Sequence, residues 1–244
     1  MNLYRKIGFY EKYIKRLMDI ICSLCAIICF SWLFIIIGIA VKVKLGSPII
    51  FKQPRPGIVD VNTGRETIFM MYKFRTMTDE KDAGGNLLPD EVRLTSFGAW
   101  LRSTSLDEIP ELFNIFYGTM SLIGPRPQLV RDMVFMTEQQ RMRHTAKPGL
   151  TGLAQIKGRN AITWEEKLSW DLKYIESISF FCDLKIILNT VVAVFNRDGI
   201  TDGENATALD YGDALLQTGK ISQEQYDALQ KRARCIIVEH EGQY

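Results

Sequence analysis

Hydrophobic positions are spread unevenly along the chain. From Ile20 to Val41 it reads IICSLCAIICFSWLFIIIGIAV, 22 residues without a charge. As a helix this run would be about 33 Å long, close to the thickness of a bilayer core. It is too long for the apolar part of a cleaved signal, and no small-residue cleavage site follows it. Few core helices of soluble proteins run so far without a charge, so the pattern predicts a membrane segment. Its flanks carry Arg5, Lys6, Lys12, Lys15 and Arg16 on one side and Lys42, Lys44, Lys52 and Arg55 on the other. A true span is expected to show a bias in positive charge, and these flanks are nearly symmetric. Both ends on one face would explain the symmetry and would require a bend near Ser31, where no proline stands. The residues alone leave spanning and re-entrant forms open.

Beyond the run the pattern shortens. Ile49 to Lys52 is strand-like and bounded by Pro48 and Pro54, Thr67 to Phe74 is a second such stretch, and Asn62-Thr63-Gly64 is a turn signal. A β-hairpin over 49–74 is predicted, bringing Lys52, Arg55, Lys73 and Arg75 to one region. From Phe97 the pattern becomes helical. There Ser105-Leu106-Asp107-Glu108 matches a capping box, and Pro110 limits where a helix can begin. Ser121 to Pro127 (SLIGPRP) predicts a rigid extended loop presenting Arg126. Lys147 to Asn160 (KPGLTGLAQIKGRN) predicts a glycine-rich loop, followed by a helix over Trp164 to Tyr174. Ile186 to Phe195 is apolar but too short to span a bilayer, which suits a core or an interfacial helix. From Thr201 the chain is polar. Ala208 to Gln217, a C-cap at Gly219 and a capping box at Ser222 to Gln225 predict a helical hairpin near 206–234. The fold class is therefore α+β and mostly helical. It divides into a membrane-anchoring part (1–48), a central domain (49–200) and a helical appendage (201–244) suited to packing or oligomerisation.

Composition adds less than its distribution does. The 244 residues carry 30 Lys+Arg against 28 Asp+Glu, a net charge of +2, and 47% are hydrophobic. These proportions exclude a disordered or low-complexity chain. They give no bulk attraction to nucleic acid, so any phosphate binding has to be local. Cys22, Cys25 and Cys29 share one face of the apolar run and suit small packing residues; Cys182 and Cys235 are isolated, and no disulfide framework is indicated. With only His144 and His240, a histidine triad or zinc site is poorly supported. Neither a P-loop nor a dinucleotide fingerprint is present.

Candidate chemistry concentrates at Asp107 and Glu108. One reading is structural, since acids in a first helical turn complement the helix dipole. The other is catalytic: Arg102 lies one turn upstream, and a helix N-terminus there would keep Asp107 ionised and accept a substrate phosphate. Lys52, Arg55, Lys73 and Arg75 are either solvated hairpin charges or contacts for a phosphate or headgroup. In the glycine-rich loop, Gly149, Gly152 and Gly158 allow close backbone approach, and Lys147, Lys157 and Arg159 add positive charge, although an ordinary surface loop is the simpler reading. Asp171 either pairs with a loop arginine or lies on a solvated face.

The order of these blocks resembles the monotopic phosphoglycosyl transferases, the bacterial sugar transferase family. The blocks are the basic-flanked apolar segment, FKQPRPG, KFRTM, RSTSLDEIPELFN, SLIGPRP, and KPGLTGLAQIKGRN followed by WEEKLSWDLKY. Together they cover about residues 12–198. The resemblance implies an enzyme of the bacterial inner membrane, with its catalytic domain on the cytoplasmic face. Such an enzyme moves a phospho-sugar from a UDP-sugar to polyprenyl phosphate, releases UMP, and so begins glycan assembly. It further implies that Asp107 is the nucleophile of a ping-pong reaction through an aspartyl phospho-sugar. Glu108 would be the Mg²⁺ ligand and a base, and Arg102 and Arg126 would lie near phosphate or nucleotide. The family's apolar segment is re-entrant and bent at a Ser-Pro pair. Here the pair is Ser31-Trp32, so a bend would rest on the Ser31 hydroxyl bonding a carbonyl one turn back. Leu153 stands where the family commonly has Trp. GRNAITW (Gly158 to Trp164) resembles members using N-acetylated sugars. The faint likeness of the tail to an oligomerisation module suggests a homo-oligomer. A catalytically silent membrane scaffold and a polyprenyl diphosphate phosphatase are the competing readings.

Overall fold

A computed structural model of the chain describes residues 5–158, 162–195 and 209–241. The predicted phosphate contact Arg159 lies outside the described residues.

A π-helical turn (Tyr10–Lys15) leads into α1 (Arg16–Cys29), which meets α2 (Ser31–Leu45) at an angle of 63°. No single helix among the described residues is long and apolar enough to cross a membrane; only this bent pair passes by length and composition. The break lies at Phe30, whose φ of −97° and ψ of 9° leave the helical range. Phe30 N–H closes α1 on Ala26 O, and Leu33 N–H and Phe34 N–H both turn back to Phe30 O. The predicted Ser31 hydroxyl bond is not formed. Ser31 is simply the first residue of α2, so the bend is a backbone break without a side-chain wedge.

The pair is two-faced. Ile37, Val41 and Leu45 of α2 are buried against Phe74 and Leu101 of the domain behind. Polar residues on the inner side of α1 are tied to that domain: Arg16 donates to the carbonyls of Ile115 and Phe116, each at 2.7 Å. Asp19 Oδ1 accepts from Ser121 Oγ at 3.0 Å and from Leu122 N–H at 2.9 Å. On the other side Leu17, Ile21, Ile28, Trp32, Ile35 and Ile39 are exposed.

The predicted hairpin forms from β1 (Ile50–Val59) and β2 (Glu66–Phe74), with Ile50 opposite Phe74. Its first strand is longer than predicted, because Pro54 and Pro56 lie within β1 opposite Met70 and Ile68. In a two-stranded ribbon both strands are edges, so a proline whose missing N–H points outward costs no ladder bond. Short α3 (Asp90–Arg93) precedes α4 (Ser96–Ser103), which is capped by Thr95 Oγ1 accepting from Gly98 N–H. A Cβ at Gly98 would lie 1.8 Å from Thr76 O, so only glycine lets α4 sit on the chain leaving β2. Gly98→Ala is expected to loosen the 3.0 Å bond from Arg102 Nε to Thr76 Oγ1 and to lower Tm by several degrees, measurable by thermal unfolding.

A 3₁₀ turn (Leu106–Glu108) then leads through Pro110 into α5 (Glu111–Tyr117), which ends at Gly118 with φ 92°. Strand β3 (Ser121–Ile123), short helices α6 (Val130–Met133) and α7 (Glu138–Arg141), and a 3₁₀ turn (Met142–Thr145) follow. β4 (Gly149–Thr151) pairs with β3 in parallel. The glycines here serve packing. A Cβ at Gly149 would meet Gly124 N at 2.0 Å, and one at Gly152 would meet Gly124 O at 2.1 Å. They bring two backbone segments together.

Helices α8 (Leu153–Gly158), α9 (Trp164–Glu176) and α10 (Phe180–Phe195) complete the central part. α10 buries Ile186 and exposes Phe181, Leu184, Leu188, Val191 and Val192, the two-faced pattern of an interfacial helix. The appendage forms α11 (Tyr211–Gln217) and α12 (Gln223–Glu241), with Gly219 at φ 67° and the predicted capping box present between Ser222 and Gln225. It packs on the central part: Tyr211 joins Phe135, Met136 and Leu168, and Ala233 joins Ile68, Val130 and Met133.

Candidate active site

The tight turn before α5 places the acidic pair. Ser105 has φ 55° and ψ 18°, a left-handed conformation unusual for a residue with a side chain, and makes no cap bond. The predicted capping box is therefore absent. Glu108 turns instead to two distant cations: Lys73 Nζ on β2 lies 2.7 Å from its Oε1, and an Arg126 guanidinium nitrogen lies 2.6 Å from the same oxygen. Lys73 also reaches Glu111 Oε1 at 3.3 Å. Glu111 escaped the sequence reading because it looks like an ordinary first-turn acid. Its spacing of three from Glu108 and four from Asp107 was the available signal.

Asp107 differs from both neighbours. It is only 6% exposed, and among the described residues its carboxylate makes no hydrogen bond or ion pair. Burial raises its pKa to about 6, against the opposing pull of Lys73 and, more weakly, of Arg102 and Arg126. The expectation that its surroundings favour the ionised form is thus corrected, since desolvation outweighs the nearby cations. Burial also raises Glu108, but Arg126 and Lys73 outweigh it and hold that carboxyl well below the ordinary range. Burial and the Glu108 charge raise Glu111 to about 7. Three neighbouring acids thus differ in proton affinity: Glu108 is firmly ionised, and Asp107 and Glu111 are reluctant to ionise.

The other predicted contacts divide. Lys73, Arg102 and Arg126 border this acidic cluster. Arg75 is turned elsewhere and is fixed by Met77 O, Ser47 O and Asp79. Lys147 stands beside Arg16 and Asp19 of the bent pair, with its pKa lowered by burial and by Arg16. Asp171 is buried and holds Arg143, with Oδ2 2.9 Å from Arg143 Nε and 2.7 Å from a terminal nitrogen. That nitrogen also donates to Arg126 O at 2.6 Å, so Asp171 acts on the site only through the loop carrying Arg126.

Among the described residues no three His, Cys, Asp or Glu side chains are placed to cage a metal ion. Magnesium rarely needs such a cage, since one or two carboxylates plus substrate phosphates suffice. The donor set suits that mode. Both cations sit on Glu108 Oε1, Oε2 makes no hydrogen bond, and the unpartnered Asp107 carboxylate is adjacent.

The family profile of bacterial sugar transferases matches residues 10–197. The chain is 48% identical over 195 residues to the "uncharacterized sugar transferase EpsL" of Bacillus subtilis, covering 80% of this chain and 94% of that protein. It is 33% identical over 197 residues to the "exopolysaccharide production protein ExoY" of Rhizobium meliloti, covering 84% of it. It is also 40% identical over 195 residues to the "UDP-glucose:undecaprenyl-phosphate glucose-1-phosphate transferase" of Klebsiella pneumoniae, where the match spans only 40% of the longer protein. A family match running from the π-helical turn through α10, and so containing the whole acidic cluster, means that the chain belongs to the bacterial sugar transferase family.

Proposed function

We propose that the protein transfers a sugar-1-phosphate from a UDP-sugar to undecaprenyl phosphate, releasing UMP, at the inner membrane of a bacterium. The observation that carries this reading is the Asp107 carboxylate, buried, unpartnered and bordered by Lys73, Arg102 and Arg126. A desolvated carboxylate without hydrogen bonds is a stronger nucleophile than a solvated one, and the cations offset charge developing on phosphorus. In the first step an Asp107 oxygen attacks the sugar-bearing phosphorus, the phosphoanhydride bond breaks, and UMP leaves with the bonding pair. In the second step an oxygen of undecaprenyl phosphate attacks the same phosphorus. The aspartyl bond breaks, Asp107 regains its carboxylate, and undecaprenyl diphospho-sugar is formed. Magnesium, held by Glu108 and the donor's phosphates, would supply further charge neutralisation. Lys73 bridges Glu108 and Glu111, and Arg126 would meet the diphosphate.

The bent α1–α2 pair supports a re-entrant anchor. Its inner face is the core of the domain, its outer face is apolar, and α10 adds a second apolar surface. Both ends of the pair, with the catalytic domain, would then lie on the cytoplasmic face. The sugar is read from the donor. The name of the Klebsiella relative specifies glucose, whereas the GRNAITW likeness favours an N-acetylated sugar. Incubation with UDP-glucose, UDP-galactose and their N-acetylated forms, with Mg²⁺ and undecaprenyl phosphate, tests both points. UMP is the expected product. Inorganic phosphate without UMP would identify a phosphatase, and no product from any donor would favour the scaffold.

The first step needs ionised Asp107. With its pKa near 6, the single-turnover rate of UMP release is expected to fall about tenfold per pH unit below pH 6 and to level off above it. A rate that stays flat down to pH 4.5 would mean that another group attacks.

A further inference from the structure

The module formed by α11 and α12 lies outside the family match, which ends at residue 197. It is nevertheless built into the shoulder that carries Arg126. Tyr211 N–H donates to the buried Asp132 Oδ1 at 2.9 Å, and the Trp164 indole donates to Leu209 O at 2.8 Å. The Trp164 and Tyr211 rings pack with centroids 5.1 Å apart. These contacts fix Asp210, whose carboxylate lies 2.6 Å from the Arg131 guanidinium.

Arg131 belongs to a concentration of positive charge. Arg55 of β1 donates to Pro127 O at 3.1 Å, next to Arg126. It lies within electrostatic reach of Arg126 and Arg131, and Asp210 within reach of Arg55. Arg55 Nε is buried and has no hydrogen-bond partner. The Arg126 and Arg131 side chains are 46% and 49% exposed. Three guanidiniums from different elements thus border one region beside the acidic cluster. Like charges so placed repel, and an anion with several oxygens relieves the repulsion while using their fork geometry. A diphosphate is such an anion. Glu108 answers Arg126 and Asp210 answers Arg131, while Arg55, bonded only to Gln53 Oε1 and Pro127 O, has no ion-pair partner among the described residues, so part of the charge stays open.

We propose that Arg55, Arg126 and Arg131 form a shelf for the diphosphate of the donor, and that Asp210 is its built-in counter-ion, competing with the donor for Arg131. The proposal rests on the nucleotide-sugar reading above and makes the C-terminal module a regulator of donor affinity. It requires no contact between the module and Asp107.

UDP binding to the full chain in detergent, measured by calorimetry, is the test. Asp210→Asn keeps a good N-cap residue at the start of α11 and so keeps the fold. It is expected to tighten UDP binding about two- to fivefold, the scale of a partly exposed ion pair. Arg131→Gln is expected to weaken binding about tenfold, the scale of a charge-assisted hydrogen bond. In the Arg131→Gln background Asp210→Asn is expected to lose most of its effect, because Arg131 is the direct ion-pair partner of Asp210 and Arg55 only a weaker neighbour. UDP affinity indifferent to either change, or lowered by Asp210→Asn, overturns the proposal even where UMP release is intact. The expected pattern with no UMP from any UDP-sugar would retire the transferase reading and keep the shelf.

Discussion

Asp107→Asn is expected to reduce UMP release by on the order of 10³-fold or more while making the folded protein more stable. Both halves follow from the same surroundings. Asparagine cannot form the covalent intermediate, so turnover through it stops. In the wild type the carboxylate is buried without a hydrogen bond, and burial raises its pKa from 3.8 to about 6. A group whose folded pKa is raised opposes folding when ionised. The penalty is absent below the unfolded pKa near 4, grows between 4 and 6, and is fully present above about 6. Two units correspond to roughly 2–3 kcal/mol, so removing the charge is expected to raise Tm at pH 8 and to leave it unchanged at pH 4. A helix-capping acid would behave in the opposite way, losing stability on amidation without losing chemistry. Glu108→Gln provides the contrast within one residue: Glu108 is held ionised by Arg126 and Lys73, so its amide is expected to lose stability as well as activity. Thermal unfolding of both variants at the two pH values, with UMP release, separates the roles. A lower Tm for Asp107→Asn at pH 8 would return Asp107 to a structural part.

Local patterns in the sequence carried the elements, and distant partners decided what they did. The apolar run, the hairpin, the helices after Trp164 and the second capping box depend on neighbours a few residues away, and all are present. The capping box at Ser105 failed because Glu108 has stronger partners, Lys73 and Arg126, from β2 and from the loop after β3. No spacing rule announces an ion pair between residues so far apart. Pro54 marked a false strand end because proline commonly bounds a strand, whereas the edge strand of a two-stranded ribbon tolerates it. Gly149 and Gly152 signalled close approach correctly, but what approaches is the Gly124 backbone. The symmetric charge flanking the apolar run leaves a span and a bend both open, and only with the family resemblance does it favour the bend. Its position at Phe30 depends on how α1 and α2 pack on the domain behind them.

Asp171 pairs with an arginine of the turn before β4, one of the two readings its sequence offers, and its removal carries the largest expected stability effect. It is 2% exposed and Arg143 is 1% exposed, and among the described residues each is the other's only ion-pair partner. Losing one partner strands the other, at a cost of about 3–5 kcal/mol, whereas replacing both with apolar groups of similar size is often close to neutral. Asp171→Ala is therefore expected to lower Tm steeply, and Arg143→Met with Asp171→Leu is expected to recover most of the loss. Activity is expected not to follow stability. In the double variant the bond from Arg143 to Arg126 O is gone, and with it the anchor that holds the Arg126 loop against Glu108. Donor KM is then expected to remain about tenfold raised at a restored Tm, the scale of a lost charge-assisted hydrogen bond. A substrate-binding aspartate predicts another pattern: Asp171→Ala would lose donor affinity at an unchanged Tm, and the second substitution would repair nothing. Unfolding temperatures and UMP-release kinetics on the three proteins decide between them. The buried ion pair has a mechanistic role only if stability recovers and donor affinity does not.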